Sequence, residues 1–363
     1  MPASVVIRGA GLRLSEVDDL PALARRLSAA PAPSVRRFTA PDTVLAPVER
    51  AVYGPVEPRP SARAGSRGLR AMPHESLLAL ASAAETPARP DARAPDETTA
   101  VVWASSTAGL PEYATVCAEA STLEPGFVAP ALGPASAYNG PAATVSIRLG
   151  LAGPNLTLTG GATAGISAIA EAMRLIAAGD AASALVGASA SVTRWSLTAA
   201  PDHLIPAEGA ACLALEPAGG SGIQLRECHR TDLVRATARV IQAAARPETR
   251  PDGLVISTLD IGLADALAAG QPFPVWHVER ALGDLGAAGG FLAVVGAAAL
   301  CAAAISPEDG NIWFEERSDE SGRRRTLGAP SERSERSWKR PTKILALAVE
   351  PCGSTASLEV SSS

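Results

Sequence analysis

The sequence predicts a layered α/β fold built from two similar halves, and three observations predict it. Short apolar or β-branched runs alternate with Ala- and Leu-rich stretches of helical spacing along all 363 residues. The Pro- and Gly-containing stretch Pro217 to Gly222 interrupts that alternation, which then starts again, as in a duplicated architecture. Hydrophobic residues make up 47% of the chain and aromatic ones only 4%. Small side chains must therefore fill the core, and layers that pack through them approach closely.

The elements follow in order. Ser4 to Arg8 is an apolar strand that Gly-Ala-Gly is expected to end, and Leu20 to Ala29 is a helix. Residues 54–72, rich in Pro, Arg, Gly and Ser, read as loop. HESLLALASAAE, opening at His74, has helical spacing, and AVVWA from Ala100 to Ala104 is a core strand. VSIRLGLAGPNLTLTGG, from Val145, reads as a helix end, a Gly-Pro turn and a strand; an apolar helix from Gly165 to about Ala178 ends at Gly179-Asp180. Ser183 to Ala190 and Ala211 to Glu216 are buried strands.

The halves are set at residues 1–217 and 218–363. The second round contains a strand at Gly253 to Thr258, a helix at Gly262 to Ala269, a strand at Pro274 to Val278 and a long helix from Gly286. Strands at Asn311 to Phe314, Lys343 to Val349 and Ala356 to Val360 close it. Residues 317–340, with seven Arg, one Lys and four acidic residues, read as a solvated, mobile loop, or alternatively a docking patch for an acidic partner.

Composition excludes several classes. A net charge of −5 offers no field for nucleic acid or an anionic membrane. Gly286 to Ile305 is uncharged and nearly long enough to span a bilayer, but its Ala and Gly content favours a helix buried between sheets. The opening MPASVVIRGAGL has neither the basic stretch nor the long apolar run of a signal peptide, so a cytoplasmic location is expected. The five cysteines, Cys117, Cys212, Cys228, Cys301 and Cys352, are scattered without a CxxC pair. They read as buried thiols of a reducing compartment, with no metal site.

Four segments resemble the β-ketoacyl synthase family. Residues 145–191, VSIRLGLAGPNLTLTGGATAGISAIAEAMRLIAAGDAASALVGASAS, are similar in order and spacing to the segment around the ketosynthase nucleophile. PAEGAACLALE (206–216) is similar to the family's Gly-Glu-Gly-Ala strand start, ALGDLGAAGGFLAVVGAAAL (281–300) to its Gly-His segment and central helix, and CGSTASLEV (352–360) to its glycine-rich last turn and strand. The resemblance implies a thiolase-like five-layer α/β/α/β/α fold of two pseudo-duplicated halves, with a dimer formed across strands next to the nucleophile segment.

The family's chemistry needs a Cys at a helix N-terminus, two His that decarboxylate the extender unit, and a Lys. None is present in register. The nucleophile position falls on Ala162, between Gly160-Gly161 and Thr163-Ala164-Gly165. The Gly-His position reads Gly283-Asp284, the Lys position is Glu279, and the strand LVIST places Thr258 where the other His belongs. None of His74, His203, His229 and His277 stands in a family motif, and each reads as a surface or helix-end residue. His277, seven residues before Asp284, is the one placed to approach the former site.

A ketosynthase-like chain stripped of nucleophile, bases and Lys resembles the chain-length factor of type II polyketide synthases. The resemblance implies an active ketosynthase as heterodimer partner and an acyl carrier protein whose phosphopantetheine delivers acyl chains to that partner, with no further cofactor. It also implies a tunnel at the shared interface that sets product length. Aromatic-polyketide versions usually carry Gln at the nucleophile position, so Ala162 points towards a polyene-type, highly reducing system. Tunnel residues are expected before the VSIR segment, at Gly133, Pro134, Ala135, Ser136, Ala137, Tyr138 and Asn139, with Tyr138 as the stop. Small residues there would equally serve close packing at a dimer interface. Alternatives are an enzyme with new chemistry at Asp284, Glu279 or Thr163, an independent homodimer that binds acyl chains or carrier proteins, and an inactive structural paralogue.

Overall fold

The computed structural model describes residues 4–29, 33–40, 47–54, 56–58, 64–65, 67–86, 96–122, 127–219, 222–245, 250–269, 271–305, 312–313 and 341–362. Up to Pro217 the chain forms β1 (Val5–Leu14), α1 (Leu20–Ala29), β2 (Val35–Ala40), β3 (Val48–Tyr53), α2 (His74–Glu85), β4 (Thr99–Ser105), α3 (Leu110–Thr122), α4 (Leu132–Ala135), α5 (Gly140–Leu149), β5 (Asn155–Thr159), α6 (Thr163–Ala178), β6 (Ser183–Ala190), α7 (Arg194–Ala199) and β7 (Gly209–Pro217). It continues with β8 (Ile223–Asp232), α8 (Leu233–Ala245), β9 (Gly253–Thr258), α9 (Ile261–Ala268), β10 (Val275–His277), α10 (Val278–Leu282), α11 (Ala287–Ala302), β11 (Ala304–Ile305), β12 (Ile312–Trp313), β13 (Lys343–Val349) and β14 (Ser354–Ser362).

Two sets of strands carry the architecture. The first has the order β5-β4-β6-β7-β1 and the second β10-β9-β13-β14-β8. Position for position the sets match, with three parallel strands followed by two antiparallel ones. A short antiparallel pairing, Val5 with Leu225 to Ile7 with Ile223, joins them.

Both faces of each set are covered, which is why strands such as β4 read as continuous apolar runs. Val101 and Trp103 point outward under α2 and α5, while Ala100, Val102 and Ala104 point inward onto α6 and α11. In the second set Leu347 and Val349 face α8 and α9, and Ile344, Ala346 and Ala348 face the centre. The result is five layers, α/β/α/β/α, with α6 and α11 packed on each other in the middle.

Glycines set that central approach. A Cβ at Gly165 of α6 would fall 2.6 Å from Ala287 O, and one at Gly290 of α11 would collide with the carbonyl of Ala162. The segment weighed above as a bilayer span is α11, buried from Ala287 to Cys301; among the described residues no helix is long and apolar enough to cross a membrane.

Several sequence expectations need correction. β1 does not stop at Gly-Ala-Gly; it runs to Leu14 with a register shift between Ile7 and Gly9. A side chain at Gly11 would strike the carbonyl of Ser82, so this glycine lets α2 lie against the strand and does not end it. The stretch read as loop ends in a single 3₁₀ turn, Leu69–Ala71. Cys212 and Cys301 are buried, but Cys117 on α3 and Cys352 in the β13–β14 turn are exposed. The charged stretch 317–340 lies outside the described residues.

Candidate functional site

The sequence GGATAG forms the start of α6 at the carboxyl end of β5, with Ala162 as N-cap. An α-helix begins with backbone N–H groups that lack intrahelical partners and with the positive end of its dipole. Ala162 has no side-chain donor or acceptor and is 8% exposed. The turn between β13 and β14 supplies what it lacks. There the Glu350 carboxylate accepts from the Thr163 amide at 2.8 Å and from the Thr163 hydroxyl at 3.0 Å through the same Oε1. The other oxygen lies where a side chain on Gly161 would have to be. The turn itself is fixed by Glu350 N to Ser354 O and Gly353 N to Glu350 O, both 2.9 Å, with Gly353 at φ 86°.

The other central helix starts beside it. Ser106, one residue beyond β4, donates to the Gly160 carbonyl at 2.7 Å and accepts the Ala287 amide at 2.8 Å, so one hydroxyl ties the α6 turn to the first residue of α11. Asp284 accepts the Gly286 amide at 2.9 Å, and its backbone bonds Ile205 O and Ala207 N. Burial pushes the Asp284 carboxyl up, helped by the charge of Glu279 and opposed by the Gly286 amide.

Behind α11, Glu279 is 3% exposed and fully engaged. It accepts from the Ser257 hydroxyl and from the Thr258 amide at 3.0 Å, and His277 Nε2 lies 3.1 Å away. His277 Nε2 is also 2.8 Å from the Thr258 carbonyl, which can only accept, so that nitrogen carries the proton. Its Nδ1 is buried without a hydrogen-bond partner. His277 is thus an interior residue at a helix end, the N-cap of α10, and not a surface one. His74 and His203 fit the surface or helix-end reading: His74 opens α2 against Glu208, and exposed His203 meets the Leu259 carbonyl at 3.0 Å.

Of the sequence-derived positions, Thr258 and Glu279 meet directly, Asp284 feels the charge of Glu279, and Ala162 joins them through Gly289 and Gly290 of α11. The Thr163 hydroxyl donates to Glu350, Ser257 is fully buried, and among the described residues no thiol stands at the α6 N-terminus. Sequence reasoning missed Glu350, because a lone carboxylate in a turn carries no local signal.

A cavity of about 970 Å³ lies between the start of α2, one face of α3 and the segment from β6 into α7. Ala135 lines it; Tyr138 does not, and is 50% exposed. Its inner wall holds Glu75, which accepts from Ser105, Ser189 and Ser191 at 2.5, 2.9 and 3.2 Å and whose carboxyl burial pushes up. Burial also raises the Glu112 carboxyl. Desolvation acts the same way on Glu208, but His74 and the Val56 and Val192 amides outweigh it and hold that group down, while the bond to Glu208 raises His74.

Comparison with known proteins places this geometry. No curated relative matches the chain. The ishigamide ketosynthase/chain length factor superposes with a TM-score of 0.69 at 20% identity over 99% of both chains. A type II polyketide synthase acyl-carrier protein in complex with its ketosynthase bound to the hexaketide gives 0.66 at 15% identity over 100% of both, and a β-ketoacyl synthase from Burkholderia phymatum 0.70 at 16% over 100% of both. At these identities they establish the thiolase-like fold. The family model for the β-ketoacyl synthase N-terminal domain matches residues 3–204, more than half of the chain, which therefore belongs to the β-ketoacyl synthase family.

Proposed function

We propose that this chain is a non-catalytic subunit of the chain-length-factor type, which pairs with an active ketosynthase and shapes the space that receives the growing acyl chain. The observation that carries the reading is the α6 N-terminus, where a methyl group, Ala162, stands at the nucleophile position and a carboxylate occupies the helix end. Condensation needs an acylatable group there. An altered-chemistry enzyme is less well supported, because Ser257 and Glu279 are buried away from any substrate and the Glu350 oxygen that meets the Thr163 hydroxyl is shared with the Thr163 amide.

Partnership is supported by the sheet edge. β5 ends the strand order, so one of its edges is unpaired among the described residues, and Tyr113, Phe127, Tyr138 and Ile147 expose large apolar side chains on and beside the helices that precede it. An open edge with an apolar surround is a surface that a second chain covers. On this reading acyl chains arrive on a carrier protein at the partner's nucleophile, and the small-residue run Gly133, Pro134, Ala135, Ser136, Ala137, Tyr138 and Asn139 borders their path. Ala162 favours a highly reducing, polyene-type product.

The test is co-expression of the tagged chain with candidate ketosynthases, followed by affinity capture and size-exclusion chromatography. A one-to-one complex that is active only with both chains present supports the reading, and Tyr138→Ala should then lengthen the product. A stable homodimer that captures no ketosynthase overturns it.

A further inference from the structure

The α6 N-terminus is more than a site that has lost its nucleophile. A carboxylate delivered from the far half of the chain sits on it, held by the Thr163 amide at 2.8 Å and hydroxyl at 3.0 Å, and it fills the space above Gly161. The turn that delivers it is itself pinned by two backbone hydrogen bonds. An anion at a helix N-terminus is favoured by the dipole and by the unpaired amides, so this arrangement stabilises itself.

We propose that Glu350 is the resident anion of the vestigial centre, occupying the helix end so that an acyl thioester is kept out and a nucleophile restored at position 162 would gain no activation. Two physical effects point the same way. The amide that would stabilise a neighbouring thiolate or a developing oxyanion already serves the carboxylate. A like charge within a few ångströms also opposes ionisation of a thiol at position 162, against the helix dipole that would favour it. Alanine at position 162 and a carboxylate at position 350 then form a double block, so changing position 162 alone restores nothing. The inference concerns only the interior of this chain and does not rest on its having a ketosynthase partner.

The experiment uses the full chain in a Cys117→Ser/Cys352→Ser background, which removes the thiols exposed among the described residues. Ala162→Cys, Ala162→Cys/Glu350→Gln and Ala162→Cys/Glu350→Gly are treated with iodoacetamide across a pH series, and alkylation of the peptide carrying position 162 is followed by mass spectrometry. The thiolate displaces iodide, so the rate reports the ionised fraction and its access. With Glu350 present the introduced thiol should react slowly, with a pH midpoint at or above that of a free cysteine. Glu350→Gly should shift the midpoint down by about one unit and speed the reaction about tenfold at neutral pH. Glu350→Gln, which keeps the bulk and removes the charge, should shift the midpoint while leaving access restricted. A single Ala162→Cys variant that already reacts as fast as the doubles, or one midpoint shared by all three, overturns the proposal. Circular dichroism of each variant verifies the fold, and the Gln form keeps the test decisive if the Gly form unfolds.

Discussion

The two central helices begin in different ways. α6 is headed by an apolar residue and receives a charged group from the β13–β14 turn, whereas α11 receives a neutral hydroxyl, Ser106, from the end of β4 and a local carboxylate, Asp284. Each helix start is thus completed by a residue from the other half of the chain. The group that crosses from the other half is a carboxylate at α6 and a neutral hydroxyl at α11.

The contrast can be broken most severely at the crossing itself. Phe291 is fully buried and lies against Gly165, and Phe291→Ala should cost about 4 kcal/mol in chemical denaturation, by lost burial and an unfilled cavity. Gly290→Val, whose side chain would meet the Ala162 carbonyl, should cost about 3 kcal/mol by forcing the helices apart. A loss under about 1 kcal/mol would mean that α6 and α11 slide past each other without penalty, so that the close crossing is not required.

Smaller effects sharpen the difference between the two helix starts. Glu350→Ala should lower stability by about 1 to 2 kcal/mol, more than Ser106→Ala at about 1 kcal/mol, because a charged acceptor at a helix end exceeds a neutral one. Equal losses would remove the distinction. Asp284 gives the smallest effect and a pH signature. Its folded carboxyl titrates above the ordinary range, so its contribution is present at acid pH and is lost as pH rises through the folded value. Asp284→Asn should therefore melt at a higher temperature than the native chain at neutral pH and at the same temperature below about pH 3. A difference that persists in acid would assign the effect to packing.

How much of this was legible in the sequence depended on whether the signal was local. β4, β6, β9 and β13 are buried on both faces, so their apolar runs announced them, and the GGATAG turn marked the α6 start by its glycines. The β2–β3 hairpin did not show, since VRRFTA and VERAVY carry charges on an exposed face and lie among Pro-rich segments. β8 was hidden for a similar reason: IQLRECHRTD alternates apolar and polar residues too weakly to stand out, yet it pairs along β14. At the site, Ala162, Thr258, Glu279 and Asp284 could be placed by register with the family, but the partners that explain them could not. Glu350 lies 187 positions from Thr163, and Ser106 lies 181 from Ala287. Only folding brings such residues together.

The position of α11 bears on how the chain is made. Encoded after residue 286, it fills the middle layer against α6 and the inner faces of both strand sets, and it buries nearly every residue in doing so. A nascent chain ending at Pro217 therefore has its first strand set and α6 but an uncovered apolar flank, and it has to wait about 85 residues of synthesis, several seconds at ribosomal speed, for the helix that closes it. A fragment of residues 1–217 expressed alone should stay bound to chaperones or aggregate, and adding residues 218–363 in trans is the rescue this interlocked middle layer allows.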